Sequence, residues 1–186
     1  FDSDDFNMVK KVFQRSKNKK QDFGYQDYFE KRYCNKFKDI QKKSNSYVDV
    51  VNSGSSALFI ALKSLNLKKD SEIIVSPVTN PGSISPIIIL SNKIVVIDSG
   101  KYNYNVTFES FVKNCTSKTK AAILTHSSGI PINDIQIIAK FCKKNNIFLI
   151  EDCSQAHGAK YSLNCVGNFG DIACFSTMFS KMHSTG

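Results

Sequence analysis

FLIEDCSQAHGAKYSLNCVGNFGDIACFSTMFSK, residues 148–181, is the stretch from which the fold is read. The apolar run at 147–150 has the length and composition of a buried strand, and it stops at two carboxylates, Glu151 and Asp152. A second run, 172–175, reads the same way and stops at Ser176, with Lys181 five residues further on. In open α/β sheets the strand ends line the ligand crevice. An acid, a hydroxyl and an amine are thereby expected at one mouth.

Working outward, strand and helix patterns alternate. Residues 47–51 read as a strand, 55–65 as a helix, 72–75 as a strand, 85–90 as a short helix and 93–97 as a strand. The rhythm continues with a helix at 107–115, a strand at 121–125 and a helix at 134–144. Strict alternation implies right-handed crossovers and a mostly parallel sheet covered on both faces, a three-layer α/β/α fold. Upstream the period changes: Phe6, Val9, Val12 and Phe13 make a helical stripe, and Tyr25, Phe29, Tyr33 and Phe37 recur every fourth residue. Residues 1–45 are therefore expected to be a helical segment preceding an α/β domain at 46–186.

Composition narrows the function classes. With 186 residues, 41% of them hydrophobic, the chain can bury one sizeable core and is not a disordered tail. Its formal charge of +9, from 25 Lys and Arg against 16 Asp and Glu, favours an anionic partner without choosing among nucleic acid, a phosphorylated metabolite and a nucleotide sugar. Beyond that charge, only the lysine-rich aromatic helix near Tyr33 speaks for nucleic acid, and no reader motif accompanies it, so no nucleic-acid partner is expected. The six cysteines form no CxxC pair and several sit in apolar runs, which suits a reducing, cytoplasmic setting. No signal peptide opens the chain and no apolar segment approaches bilayer length, so no membrane partner is expected. Cys153, His157, Cys165 and Cys174 match no common zinc spacing, and no metal site is assigned. The chain starts at Phe1 without Met and stops inside STG, and is expected to be part of a longer protein.

The acid, hydroxyl and amine at the mouth suit pyridoxal phosphate. That cofactor requires a lysine for its Schiff base, a carboxylate for its pyridine nitrogen and hydroxyl or amide donors for its phosphate. A second stretch, VVNSGSSALFIAL, contains Gly54, read as allowing a tight bend, then Ser55 and Ser56 at the start of a helix. A helix N-terminus binds phosphate through its orphan amides and its dipole. Taken alone, the stretch reads more simply as a serine-capped helix. It is neither GxGxxG nor GxxxxGK[ST], so it indicates neither a dinucleotide nor an ATP site.

The motifs taken together, and in order, resemble the DegT/DnrJ/StrS-type sugar aminotransferases, which are fold type I pyridoxal phosphate enzymes. The resemblance runs from Gly24 through NSGSSAL, EIIVSP, VVID, KAAILTH with Gly129 and Pro131, and IEDCSQAHGA to VGNFGD and FSTMFSK. It implies that Lys181 is the Schiff-base lysine and proton carrier, and that Asp152 pairs with the pyridinium nitrogen. Gln155 is implied beside the cofactor ring, with Ser55, Ser56 and Ser176 on the phosphate. It further implies transfer of an amino group from an amino acid, usually glutamate, to a keto sugar on a nucleotide diphosphate, for polysaccharide or surface-sugar synthesis. A homodimer is implied, with the remaining sheet and a small domain beyond Gly186. Besides that truncation, one departure stands out. Asn80 occupies the position where many relatives place an aromatic residue on the cofactor's outer face. The Val-Thr-Asn-Pro pattern around it is similar to a branch that removes a sugar 3-hydroxyl, a branch that replaces the lysine with histidine. Lys181 is retained here, with His183 nearby, so transamination is expected over dehydration.

Overall fold

The computed structural model describes residues 3–17, 30–36, 47–102 and 104–181. The chain divides into two compact units, Phe1–Val50 and Val51–Gly186. In the first, helix α1 spans Ser3–Lys17 and residues 30–36 are helical (α2). The stripe at Phe6, Val9 and Phe13 does lie on a helix, with these three side chains exposed. Of the second aromatic stripe, Tyr33 is half-buried on α2, while Tyr25, Phe29 and Phe37 lie outside the described residues, as does the Gly24 motif. The strand expected at 47–51 does not form. Among the described residues nothing forms a ladder with it, and the Val50 amide donates to the Glu30 carboxylate at 3.0 Å instead. A strand persists only where a neighbour takes its backbone groups, a condition that local pattern does not carry.

The second unit holds helices α3 (Gly54–Ser64), α4 (Pro81–Ile89), α5 (Phe108–Asn114) and α6 (Ile135–Lys144). Between them run strands β1 (Glu72–Val75), β2 (Lys93–Val96), β3 (Thr119–Thr125), β4 (Phe148–Asp152) and β7 (Ile172–Cys174), with a short antiparallel hairpin of β5 (Lys160–Tyr161) and β6 (Asn164–Cys165). The five strands pair in the order β2-β1-β3-β4-β7, and every pairing is parallel. Successive side chains of a strand point to opposite faces, and the core divides accordingly. Ile73, Val75, Ala121, Ile123 and Ile150 pack with Leu58, Ala61 and Leu62 of α3 and Ile87 of α4. Ile74, Ala122, Leu124 and Leu149 pack with Phe111 of α5 and Ile135, Ile138 and Cys142 of α6. Three layers result, as expected from the alternation. Each fully buried aliphatic side chain in them contributes about 1.5–3 kcal/mol.

Two local readings change. Helix α4 begins at Pro81, not at residue 85, because Asn80 caps it by accepting from the Gly82 amide at 3.0 Å and Pro81 sits at the first helical position. Proline there is preorganised and loses no hydrogen bond, so Asn-Pro-Gly-Ser opens a helix here. Gly54 lies inside α3, whose cap is Ser53, so it makes no bend. A Cβ at that position would lie 3.1 Å from the Cβ of Ser176, a contact tighter than usual.

Candidate active site

Strand β4 ends in the two carboxylates, and its pleat sends them to opposite faces. Leu149 lies on the α5/α6 side and Ile150 on the α3/α4 side, so Glu151 and Asp152 continue in the same alternation. Glu151 is fully buried and saturated. Its Oε1 accepts from the amides of Phe169 (2.7 Å) and Gly170 (2.6 Å), and its Oε2 from the Gly167 amide (2.9 Å) and His126 Nε2 (3.0 Å). The Ile132 amide donates to His126 Nδ1 at 3.1 Å, which makes Nδ1 an acceptor and places the ring hydrogen on Nε2. The two carboxylates that look alike in sequence thus differ in kind: Glu151 ties the 166–170 loop and the turn after β3 to the sheet. His126, Glu151 and Cys153 bring ligand atoms within 4.8 Å of one another, but both imidazole nitrogens and the carboxylate are already engaged.

Asp152, only 2% exposed, faces the α3/α4 layer. Its Oδ1 accepts from the Ser154 amide at 3.0 Å and its Oδ2 from Ser83 Oγ at 2.8 Å. A carboxylate offers about four acceptor positions, so capacity remains for a further N–H donor. Ser83, on α4, accepts in turn from Thr79 Oγ1 at 2.8 Å, and Thr79 and Thr125 hydroxyls lie 2.8 Å apart. Ser83, Thr79 and Thr125 did not figure among the expected site residues. Their signal was present only as hydroxyl residues, Thr125 ending β3 and Thr79 and Ser83 following β1, a pattern shared with ordinary turns.

The N-terminus of α3 lies beside this acid. Ser53 Oγ accepts from the Ser56 amide at 3.1 Å and lies 2.9 Å from Ser56 Oγ, so the cap uses one first-turn amide. No bond from the amides of Gly54 or Ser55 to another described residue is present. Ser176 and Ser154 flank Gly54: a Cβ there would stand 3.4 Å from Ser176 Oγ and 3.5 Å from Ser154 Oγ. A Cβ on Gly82 would overlap Ser55 Oγ and reach Asn80 Oδ1 at 3.5 Å. Ser55, Ser176 and Asn80 are therefore drawn around one helix terminus, joined to Asp152 through Ser154 and Ser83. Asn80 is exposed, and its carbonyl oxygen is spent on the cap.

Gln155 Oε1 accepts from the Ser128 amide at 2.9 Å, in a turn where Ser128 and Gly129 have φ of 55° and 80°. Because the backbone can only donate, the oxygen of Gln155 must face it and the amide nitrogen must face away. Lys181 is half-buried in a turn closed by its own amide on the Met178 carbonyl at 2.8 Å, five residues after Ser176. His183 lies outside the described residues.

The donor set fits pyridoxal phosphate. It offers unclaimed first-turn amides among hydroxyls for an anion and a buried acid with acceptor capacity for a ring N–H, and Lys181 follows Ser176 by five residues in the chain.

A parallel sheet with hydroxyls and a buried acid gathered at its strand ends defines an α/β ligand-binding unit. More particularly, residues 2–186 match the profile of the DegT/DnrJ/EryC1/StrS aminotransferase family, and the chain belongs to that family. It is 33% identical over 156 residues to the GDP-perosamine synthase of Escherichia coli O157:H7, covering 83% of this chain and 43% of that protein. The X-ray structure of the aminotransferase from Psychrobacter cryohalolentis superposes with a TM-score of 0.87 at 29% identity, over all of this chain and 45% of that one. The Escherichia coli GDP-4-keto-6-deoxy-D-mannose-3-dehydratase with bound hydrated PLP gives 0.83 at 26% identity, over 99% of this chain and 46% of that one. The chain thus spans less than half the length of the relatives it matches. Among the described residues no helix is long and apolar enough to cross a membrane.

Proposed function

We propose that this chain carries the pyridoxal phosphate half of a nucleotide-sugar aminotransferase, which moves an amino group from an amino acid, with glutamate as donor, to a keto sugar on a nucleotide diphosphate. The observation that carries the reading is Asp152: a buried carboxylate with spare acceptor capacity, next to a hydroxyl-rich helix N-terminus. When bound, the cofactor supplies an electron sink for breaking the Cα–H bond of the amino substrate. Asp152 then accepts the ring N–H and keeps that proton in place. The amides of Gly54 and Ser55 with the hydroxyls of Ser55, Ser56 and Ser176 bind the phosphate, and the outward amide of Gln155 donates to the ring's edge. Asn80 covers the outer face. Lys181 would hold the cofactor covalently, and its amine would serve as the base and acid for the proton at Cα of the amino substrate.

Retention of Lys181 favours transamination over the dehydration carried out by the second Escherichia coli relative, and product analysis with a keto sugar substrate separates the two. In this reading residues 46–186 belong to the cofactor-binding domain, the setting is cytoplasmic with reduced thiols, and the product serves polysaccharide or surface-sugar synthesis. We also read the full-length protein as a homodimer. Ile60 on α3 and Ile88 and Ile89 at the C-terminal end of α4 are exposed, although Pro86 and Ile87 of the same run are buried. Sedimentation over a concentration series checks this, and a monomer at every concentration overturns it.

The decisive experiment is borohydride reduction of the full-length protein loaded with pyridoxal phosphate. Wild type should trap one adduct on the peptide containing Lys181, and Lys181→Ala should trap none while its stability stays within about 0.5 kcal/mol. An adduct on another lysine, or none in wild type, overturns the assignment.

A further inference from the structure

The hydroxyls behind Asp152 form an ordered chain. Ser83 Oγ donates to Asp152 Oδ2 at 2.8 Å, Thr79 Oγ1 donates to Ser83 Oγ at 2.8 Å, and the Thr79 and Thr125 hydroxyls are 2.8 Å apart. Each hydroxyl owns one hydrogen and two lone pairs, and a carboxylate can only accept. Counting hydrogens back from the acid gives the direction. Ser83 spends its hydrogen on Asp152, so Thr79 must spend its own on Ser83, and the hydrogen between Thr79 and Thr125 can come only from Thr125. The alternative for Thr125, direct donation to Asp152 Oδ2, spans 3.5 Å, beyond the usual O–H···O range.

The chain is also fixed at its ends. Thr125 is the last residue of β3, and its amide donates to Ser76 Oγ at 2.9 Å, just past the end of β1. Ser83 sits in the first turns of α4, and Asp152 closes β4. Ser76, Ser83, Thr125 and Asp152 are buried, so a missing link would leave a polar atom stranded away from water. Three parallel strand ends and a helix are thereby joined by hydrogen bonds that converge on one oxygen, Oδ2.

We infer that Ser83, Thr79 and Thr125 are positioning residues that aim the Asp152 carboxylate. They anchor Oδ2 so that its remaining lone pair, and that of Oδ1, present one fixed direction to the ring nitrogen of the cofactor. The inference rests on the pyridoxal phosphate reading above and deepens it: the protonation of the bound ring depends on residues that never touch it.

The test uses the full-length protein loaded with pyridoxal phosphate carrying nitrogen-15 in the ring, with the ring-nitrogen resonance as readout and cofactor affinity measured alongside. Ser83→Ala and Thr79→Val should both move the resonance toward that of an unprotonated pyridine and weaken cofactor binding about tenfold, as expected for a hydrogen bond to a charged group. Thr79→Ser keeps the hydroxyl and should return the wild-type resonance. Thr79 is only half-buried, so this pair of variants decides the matter even if Ser83→Ala fails to fold. A wild-type protein that takes up no label overturns the functional reading and the inference together. A labelled wild type whose resonance is unmoved in Thr79→Val overturns the inference alone.

Discussion

At the scale of single residues, the adjacent acids Glu151 and Asp152 show how little a side chain's identity says about its work. Both are buried at the end of the same strand. Glu151 meets four N–H donors and has nothing left to offer a ligand, whereas Asp152 retains acceptor capacity. The Glu151→Gln variant should therefore be destabilised by about 3 kcal/mol, because an amide NH2 must then face backbone donors in a dry site. Urea unfolding with an unchanged m-value is the measurement, and a loss below about 1 kcal/mol would contradict the role of Glu151 in tying the 166–170 loop to the sheet. Asp152→Asn should leave the fold intact and slow proton abstraction instead, since a neutral amide holds a pyridinium poorly.

At the scale of elements, α4 carries two functions on its first turn. Asn80 caps it, Gly82 leaves room for the Ser55 hydroxyl, and Ser83 reaches Asp152. Asn80→Ala removes the cap and should cost about 1 kcal/mol in thermal or denaturant unfolding. Asn80→Asp caps equally well and should restore that stability. If Asn80 also covers the cofactor, both variants should weaken cofactor retention although only the alanine variant loses stability. Equal retention in wild type and both variants would leave Asn80 with the cap alone.

At the scale of the whole molecule, the buried thiols link stability to pH. Burial pushes the Cys142 and Cys174 thiols from an ordinary 9.0 up to about 12 and Cys115 up to about 11, and raises Cys153 well above the ordinary value. Below about pH 9 the folded and unfolded chains bind these protons equally. Above it the unfolded chain loses them first, so stability falls as pH rises. Cys142 and Cys174 should each contribute a loss of about 3 kcal/mol by about pH 11. A Cys142→Ala, Cys174→Ala double variant should show a visibly shallower decline, and a decline of the same slope as wild type would refute the linkage. What the sequence by itself determined was the alternation of strand and helix, the three-layer class and the placement of Asp152, Ser176 and Lys181 after strand-like runs, because apolar period and strand-end position are local properties. Only the tertiary structure decided that residues 47–51 find no ladder, that Asn80 and Pro81 open a helix, that Gly54 packs closely against Ser176, and that Ser83, Thr79 and Thr125 converge on Asp152. Each of these depends on which distant backbone or hydroxyl arrives within about 3 Å, a distance set by sheet order and strand pleat that no local stretch encodes.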